Sequence, residues 1–228
     1  MGSEMCIRDR KGGDFGGTWY WNRYPGASCD IESYVYFPLL EKTDFVPKQK
    51  YTNAPETLEY CGVIAEKYSL HENALLQTEV TATEWDEELG RWRVSTNRAD
   101  NILAKYVVHS NGPLNRPKLP AIRGINDYKG HTFHTSRWDY AYTGGDSHGN
   151  LSGLTDKKVA IIGTGATAVQ CVPHLGAAAK NFMSSKEHLP PLTFEIIKPL
   201  IRTGWRANRV VGRMSEERIL SRLWLELR

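Results

Sequence analysis

Cysteine is scarce: four residues in 228, at Cys6, Cys29, Cys61 and Cys171, with no paired spacing. That excludes a disulfide-stapled small domain and a thiolate metal centre, and leaves the four as free thiols of a reducing compartment. Long apolar runs are missing too. No stretch approaches the ~20 residues that cross a bilayer, and the N-terminus has no apolar signal core, so the expected address is the cytoplasm with no membrane partner. Neither sign of charge dominates. Against 26 Asp+Glu stand 29 Lys+Arg, a net +3 without the concentrated basic stripe that a phosphate backbone requires, so no nucleic-acid partner is expected. Internal repeats and low-complexity tracts are likewise absent. What remains is a globular composition, 40% hydrophobic and 24% charged, of a length for one large or two small domains.

Met1 to Arg10 shows neither helical nor strand periodicity and runs into the Lys11-Gly12-Gly13-Asp14 turn signal, so residues 1–11 read as a non-native or disordered extension. Gly16 to Gly26 mixes glycines with four aromatics, a composition suited to a loop approaching a flat ligand or to an aromatic surface turn. Asn53-Ala54-Pro55-Glu56 supplies a cap and an early proline for a helix reaching Leu70. Leu76 to Trp85, Arg91 to Thr96 and Ile102 to Val108 alternate and predict a small antiparallel sheet. Residues 144–150 read as a linker, after which Lys157 opens a new unit. The segment from Ser215 spaces Ile219, Leu220, Leu223, Leu225 and Leu227 as an amphipathic helix without a cap.

Val159-Ala160-Ile161-Ile162 is a short apolar run of the kind buried in a parallel sheet. Behind it, Gly163-Thr164-Gly165-Ala166-Thr167-Ala168 enters a helix expected through Ala179, which meets the G-x-G-x-x-G/A dinucleotide fingerprint in context. Gly163 allows the tight turn, Gly165 lets the backbone approach a pyrophosphate, and the helix N-terminus offers free amide donors. A glycine turn of this sort can also be purely structural. The following strand should end on a residue that reads the ribose, but Asn181-Phe182-Met183 before Ser184-Ser185-Lys186 is too short for a buried strand, and Lys186, which could approach a 2′-phosphate, reads more simply as a solvated loop lysine.

Tyr128 to Asp139 combines a glycine, two histidines and a tryptophan. A His131-x-x-His134 metal pair is disfavoured for want of a third ligand, so no metal is expected, and Trp138 could be a core aromatic. With Gly130, His134, Trp138 and Asp139 in register, the segment resembles the F-x-G-x-x-x-H-x-x-x-W-[PD] fingerprint of Baeyer–Villiger-type flavin monooxygenases, Tyr128 replacing phenylalanine. Gly16 to Tyr36 is similar to that family's flavin-edge segment, and Gly112 to Pro120 to its connection out of the flavin domain. Four motifs thus follow the family's order between about Gly12 and His174.

The resemblance implies an α/β fold: part of an FAD-binding Rossmann-like domain with an antiparallel β insertion and hinge over 12–150, then the start of an NADP-binding Rossmann-like domain over 151–228. It implies FAD contacts from Thr18, Trp19, Tyr20, Trp21, Asp30 and Tyr36, with Val80 on the adenine side, and NADP contacts from Gly163, Thr164, Gly165, Ala166, Thr167, Ala168 and Gln170. Asp30 is the expected catalytic-site residue, orienting the family's arginine, which would lie beyond Arg228. Gly130, His134, Trp138 and Asp139 form the expected hinge. The implied reaction consumes NADPH and oxygen and converts a ketone to an ester or lactone. An N- or S-oxygenating relative and a noncatalytic nucleotide-binding fragment are the rivals. No earlier glycine-rich FAD unit precedes Gly16, so the chain reads as truncated at both ends and inactive by itself. Ser28 stands where the family usually carries an arginine contacting NADP, and Ser110-Asn111 where it carries Ala-Thr.

Overall fold

The computed structural model describes residues 8–9, 11–112, 114, 116–119, 124–163, 165–185, 192–197 and 213–214. Thr164, Lys186 and the expected helix after Ser215 lie outside the described residues. In chain order the elements are β1 (Arg8–Asp9), α1 (Thr18–Trp21), α2 (Leu40–Thr43), α3 (Ala54–Lys67), β2 (Ala74–Leu75), β3 (Val80–Asp86), β4 (Arg91–Thr96), β5 (Asn101–Ala104), α4 (Tyr140–Thr143), β6 (Lys158–Ile162), α5 (Ala166–Ala178), β7 (Asn181–Ser185), β8 (Leu192–Ile197) and β9 (Arg213–Met214). The α/β class is as expected. Among the described residues no helix is long and apolar enough to cross a membrane.

Two compact units divide the chain: Met1–Trp21 with Ser33–Arg116, and Asn22–Glu32 with Pro117–Arg228. This division differs from the expected boundary at 150/151. Residues from 117 onward and an eleven-residue excursion near the N-terminus pack with β6 and α5, through contacts that no local pattern announces.

In the first unit α3 forms where its signals stand. The Asn53 side chain accepts from the Glu56 amide at 3.0 Å, and Pro55 follows in the first turn. Its inner face buries Tyr60, whose ring packs against Phe37 and Phe45 at centroid distances of 4.9 and 4.8 Å and whose hydroxyl donates to the Pro38 carbonyl. The three strands pair antiparallel in the order β3-β4-β5. Trp85 faces Trp92 across the hairpin at 5.6 Å, and Asp86 holds both the Leu89 amide and Arg93 at its turn. The middle strand is as expected, and the outer two are shorter than the alternation suggested. Gln77 takes φ of 52°, so the first strand cannot begin before it. The third ends at Ala104, which pairs with Trp92, because its partner turns away at Gly90. Arg8–Asp9, within the presumed extension, pairs in parallel with Ala74–Leu75. The aromatic loop also contains one regular turn, α1, that its composition did not suggest.

In the second unit β6 and β7 run parallel, from Lys158↔Asn181 to Ile162↔Ser185, joined by α5. The doubted strand after α5 therefore exists. Phe182 is buried, and pairing with β6 supplies what local propensity does not. β8 and β9 extend the sheet antiparallel. β6 is less enclosed than its apolar run implied: Ile161 is buried, whereas Ile162 is 46% exposed.

Candidate functional site

The turn between β6 and α5 carries the glycine fingerprint. Gly163 has φ of +120°, a conformation that side chains oppose, which explains glycine there. Gly165 is the N-cap of α5, with φ −73° and ψ −179° and no side-chain cap. Among the described residues, a Cβ at either glycine would meet no heavy atom within 4 Å, so on their side the space over the turn is open. The first-turn amides of Ala166, Thr167 and Ala168 have no intrahelical acceptor by the geometry of a helix start. Open space, bare amides and the positive end of the helix dipole suit a phosphate group. Ala168 is buried against the body of the unit, and Pro173 sits within α5 without ending it.

The Gln170 side chain, expected among the cofactor contacts, lies in another environment. Its Oε1 accepts from the Tyr24 hydroxyl at 2.8 Å and from the Ser28 amide at 3.4 Å, and its Nε2 donates to the Ser28 carbonyl at 3.0 Å. The loop is held at three further places. Gly26 N–H donates to the Ser147 carbonyl at 2.9 Å. The Tyr140 hydroxyl donates to the Arg23 carbonyl at 2.6 Å. Gly26, with φ +77°, lies so close to α5 that a Cβ would come within 2.6 Å of the Gln170 carbonyl oxygen and of His174 Nε2. Burial raises the Tyr24 hydroxyl pKa, and a hydrogen bond from Thr167 works against that rise. The Cys171 thiol, fully buried beside this contact, is pushed up to about 12 by desolvation and stays protonated. Asp30 is exposed in the same loop.

The expected hinge residues all lie in the second unit, each with its own local partners. His134 caps the short 3₁₀ turn Thr135–Arg137: its Nδ1 accepts from the Ser136 amide at 3.2 Å and lies 2.8 Å from the Ser136 hydroxyl. Burial, then nearby Arg137, holds the His134 pKa below the ordinary value, so the ring is neutral at neutral pH. Trp138 Nε1 donates to Thr143 Oγ1 at 3.0 Å, with the Phe133 ring edge-on at 5.2 Å. Asp139 caps α4 by accepting from the Tyr142 amide at 3.1 Å, and its other oxygen lies 2.9 Å from His131 Nε2. Those two interactions, the backbone one first, hold the Asp139 carboxyl below its usual range. Gly130 lies under the Tyr128 ring, where a Cβ would fall 2.1 Å from the hydroxyl.

The remaining expected flavin contacts belong to the first unit. Trp19 meets Tyr36 edge-on at 5.5 Å, and Tyr20 meets Trp21 at 5.0 Å. The Tyr20 hydroxyl accepts from the Gly13 amide at 3.0 Å. Thr18 opens α1, and Val80 opens β3, paired with Thr96. Tyr24 and His174 are the residues that the motif reading passed over. Tyr24 was visible only as one aromatic of the Gly16-to-Gly26 stretch, and His174 carried no signal.

An α/β protein with a parallel β-turn-α-β unit and a bare helix N-terminus is a nucleotide-binding class of fold. The flavin-binding monooxygenase-like family matches residues 20–193, and the chain belongs to that family. It is 52% identical over 172 residues to Baeyer-Villiger monooxygenase 4 of Dietzia sp. (strain D5), covering 75% of this chain and 28% of that protein. The polycyclic ketone monooxygenase of the thermophilic fungus Thermothelomyces thermophila matches with a TM-score of 0.72 at 42% identity, over 77% of this chain and 29% of that one. A crystal structure of OTEMO in complex with FAD and NADP matches with a TM-score of 0.68 at 34% identity, over 77% of this chain and 33% of that one. The chain thus spans about a third or less of the length of the proteins it matches.

Proposed function

We propose that this chain contributes the NADP-binding turn, the Asp30 loop and part of the flavin contact surface to an enzyme that uses FAD, NADPH and oxygen to convert a ketone to an ester or lactone. The observation that carries the reading is the Gly163–Gly165 turn, open above and leading into the uncapped α5 between two parallel strands. Gly163, Gly165, Ala166, Thr167 and Ala168 would hold the dinucleotide phosphate by backbone amides. Thr18 to Trp21 and Tyr36 would offer aromatic faces and edges to the flavin, and Val80 its backbone to the adenine side. When bound, the flavin supplies the redox and oxygen chemistry, and the protein supplies orientation and exclusion of water. Asp30, exposed in its loop, would hold a guanidinium by a charge-assisted hydrogen bond. The Gly130–His134–Trp138–Asp139 pattern favours the Baeyer–Villiger reaction over N- or S-oxygenation, since it is similar to that family's fingerprint. A cytoplasmic location fits the reading.

The test is NADPH consumption by the whole enzyme that contains this chain, on addition of a cyclic ketone with FAD supplied, followed by mass spectrometry of the product. Lactone formation proportional to NADPH supports the proposal. Oxygenation of an amine or thioether with no ketone product overturns it.

A further inference from the structure

The contact between Gln170 and the loop before Asp30 has an unusual form. A carboxamide presents one donor and one acceptor in a plane, which matches the N–H and C=O of a single residue as a neighbouring strand would. Gln170 uses that match on Ser28, with distances of 3.4 Å to the amide and 3.0 Å to the carbonyl. The same Oε1 also accepts from buried Tyr24 at 2.8 Å. The bonds meet on one side chain of α5, which takes both Tyr24 and Ser28 of the loop. Ser28 stands two residues from Asp30.

We propose that Gln170 and Tyr24 are positioning residues that fasten the Asp30 loop to α5, so that the dinucleotide turn at its N-terminus and Asp30 are held as one piece. Gln170 then acts on the cofactor site through the loop and not by touching NADP. The role in catalysis rests on the reading of Asp30 and of the glycine turn given above; the fastening itself does not. No other side chain among the common replacements retains both halves of the match. Glutamate keeps the acceptor and loses the donor to the Ser28 carbonyl, and methionine fills similar space with neither. Pairing to backbone also makes the contact indifferent to the identity of residue 28, where serine stands. The close approach of Gly26 to α5 leaves the loop no room to shift toward the helix, so the amide sets its position along the helix.

Hydrogen exchange by mass spectrometry on the 228-residue chain, with and without NADP+, tests the idea. In the ligand-free state Gln170→Met should speed exchange of a peptide covering residues 22–32 about ten-fold, and Gln170→Glu and Tyr24→Phe less, while exchange in β3 to β5 stays unchanged. The Tyr24→Phe/Gln170→Met double variant should exchange no faster than Gln170→Met alone, because both remove the same contact. NADP+ should slow exchange of this peptide in the wild type and not in Gln170→Met. Should Gln170→Met not fold, Gln170→Glu and Tyr24→Phe carry the comparison. Unchanged ligand-free exchange in the variants, or additive effects in the double variant, would overturn the proposal. NADP+ that binds and protects the loop equally in wild type and Gln170→Met would overturn the link to the dinucleotide turn. A wild type that does not bind NADP+ would instead sink the cofactor reading, and the ligand-free comparison would still decide whether Gln170 fastens the loop.

Discussion

Gly163 and Gly165 stand two residues apart and require glycine for different reasons. At Gly163 the backbone itself is the constraint, since φ of +120° opposes any side chain. Gly163→Ala should therefore lower stability by about 1–2 kcal/mol, measurable as a lower urea midpoint without any ligand. Gly165 has ordinary extended backbone and open surroundings, so Gly165→Ala should leave the midpoint within about 0.5 kcal/mol of wild type. Its cost should appear only when ligand occupies the space. Gly165→Val should weaken NADP+ binding about ten-fold or more in calorimetry, and unchanged affinity would remove this turn from the cofactor site. Gly26 combines both constraints. Positive φ and a clash with the α5 backbone should make Gly26→Ala cost about 2–4 kcal/mol, the sum of left-handed strain and overpacking.

At the scale of elements, the segment from Tyr128 to Thr143 is held by side-chain caps and aromatic edges more than by regular structure. Trp138→Phe keeps the ring contacts and removes the hydrogen bond to Thr143, so it should cost about 1 kcal/mol in the urea midpoint. The segment also has a pH signature. Burial lowers the pKa of His134, and the same cause, with His148 second, lowers that of His174 on α5. A depressed folded-state pKa means that the unfolded chain takes up the proton first as pH falls. The contribution of both rings is therefore fully present above the ordinary value of 6.5 and is lost below it, toward their depressed folded pKa values. Urea midpoints measured from pH 8 to pH 5 should fall on the acid side, and His134→Asn, which keeps a capping acceptor that does not titrate, should shallow the fall. An unchanged slope in that variant would assign the effect to His174 alone. Asp139, held low by the Tyr142 amide and His131, adds its loss only below the carboxylate range.

Across the whole molecule, the division into units places residues 22–32 with the second unit although they lie between parts of the first in sequence. Native-state exchange in rising denaturant should accordingly show amides of 22–32 joining the opening transition of β6 and α5, not that of α3. Opening with α3 would contradict the assignment. Features that depend on neighbours a few residues apart were legible in the amino-acid sequence. The Asn53 cap, the alternation of β3 and β4, the glycine turn behind β6 and the Gly130-to-Asp139 spacing are all of this kind, because caps, strand faces and tight turns are decided by local backbone chemistry. β7 was not legible, since Asn181-Phe182-Met183-Ser184-Ser185 has too little apolar character to declare a strand and acquires its state by pairing with β6. The Tyr24–Gln170, Ser28–Gln170 and Tyr140–Arg23 bonds span 146, 142 and 117 residues of chain. Sequence by itself therefore determined the family and the glycine turn between β6 and α5. Only the tertiary structure decided that Gln170 faces the Asp30 loop and that this loop belongs with the second unit, because side-chain partners so far apart in the chain are chosen by packing and not by spacing.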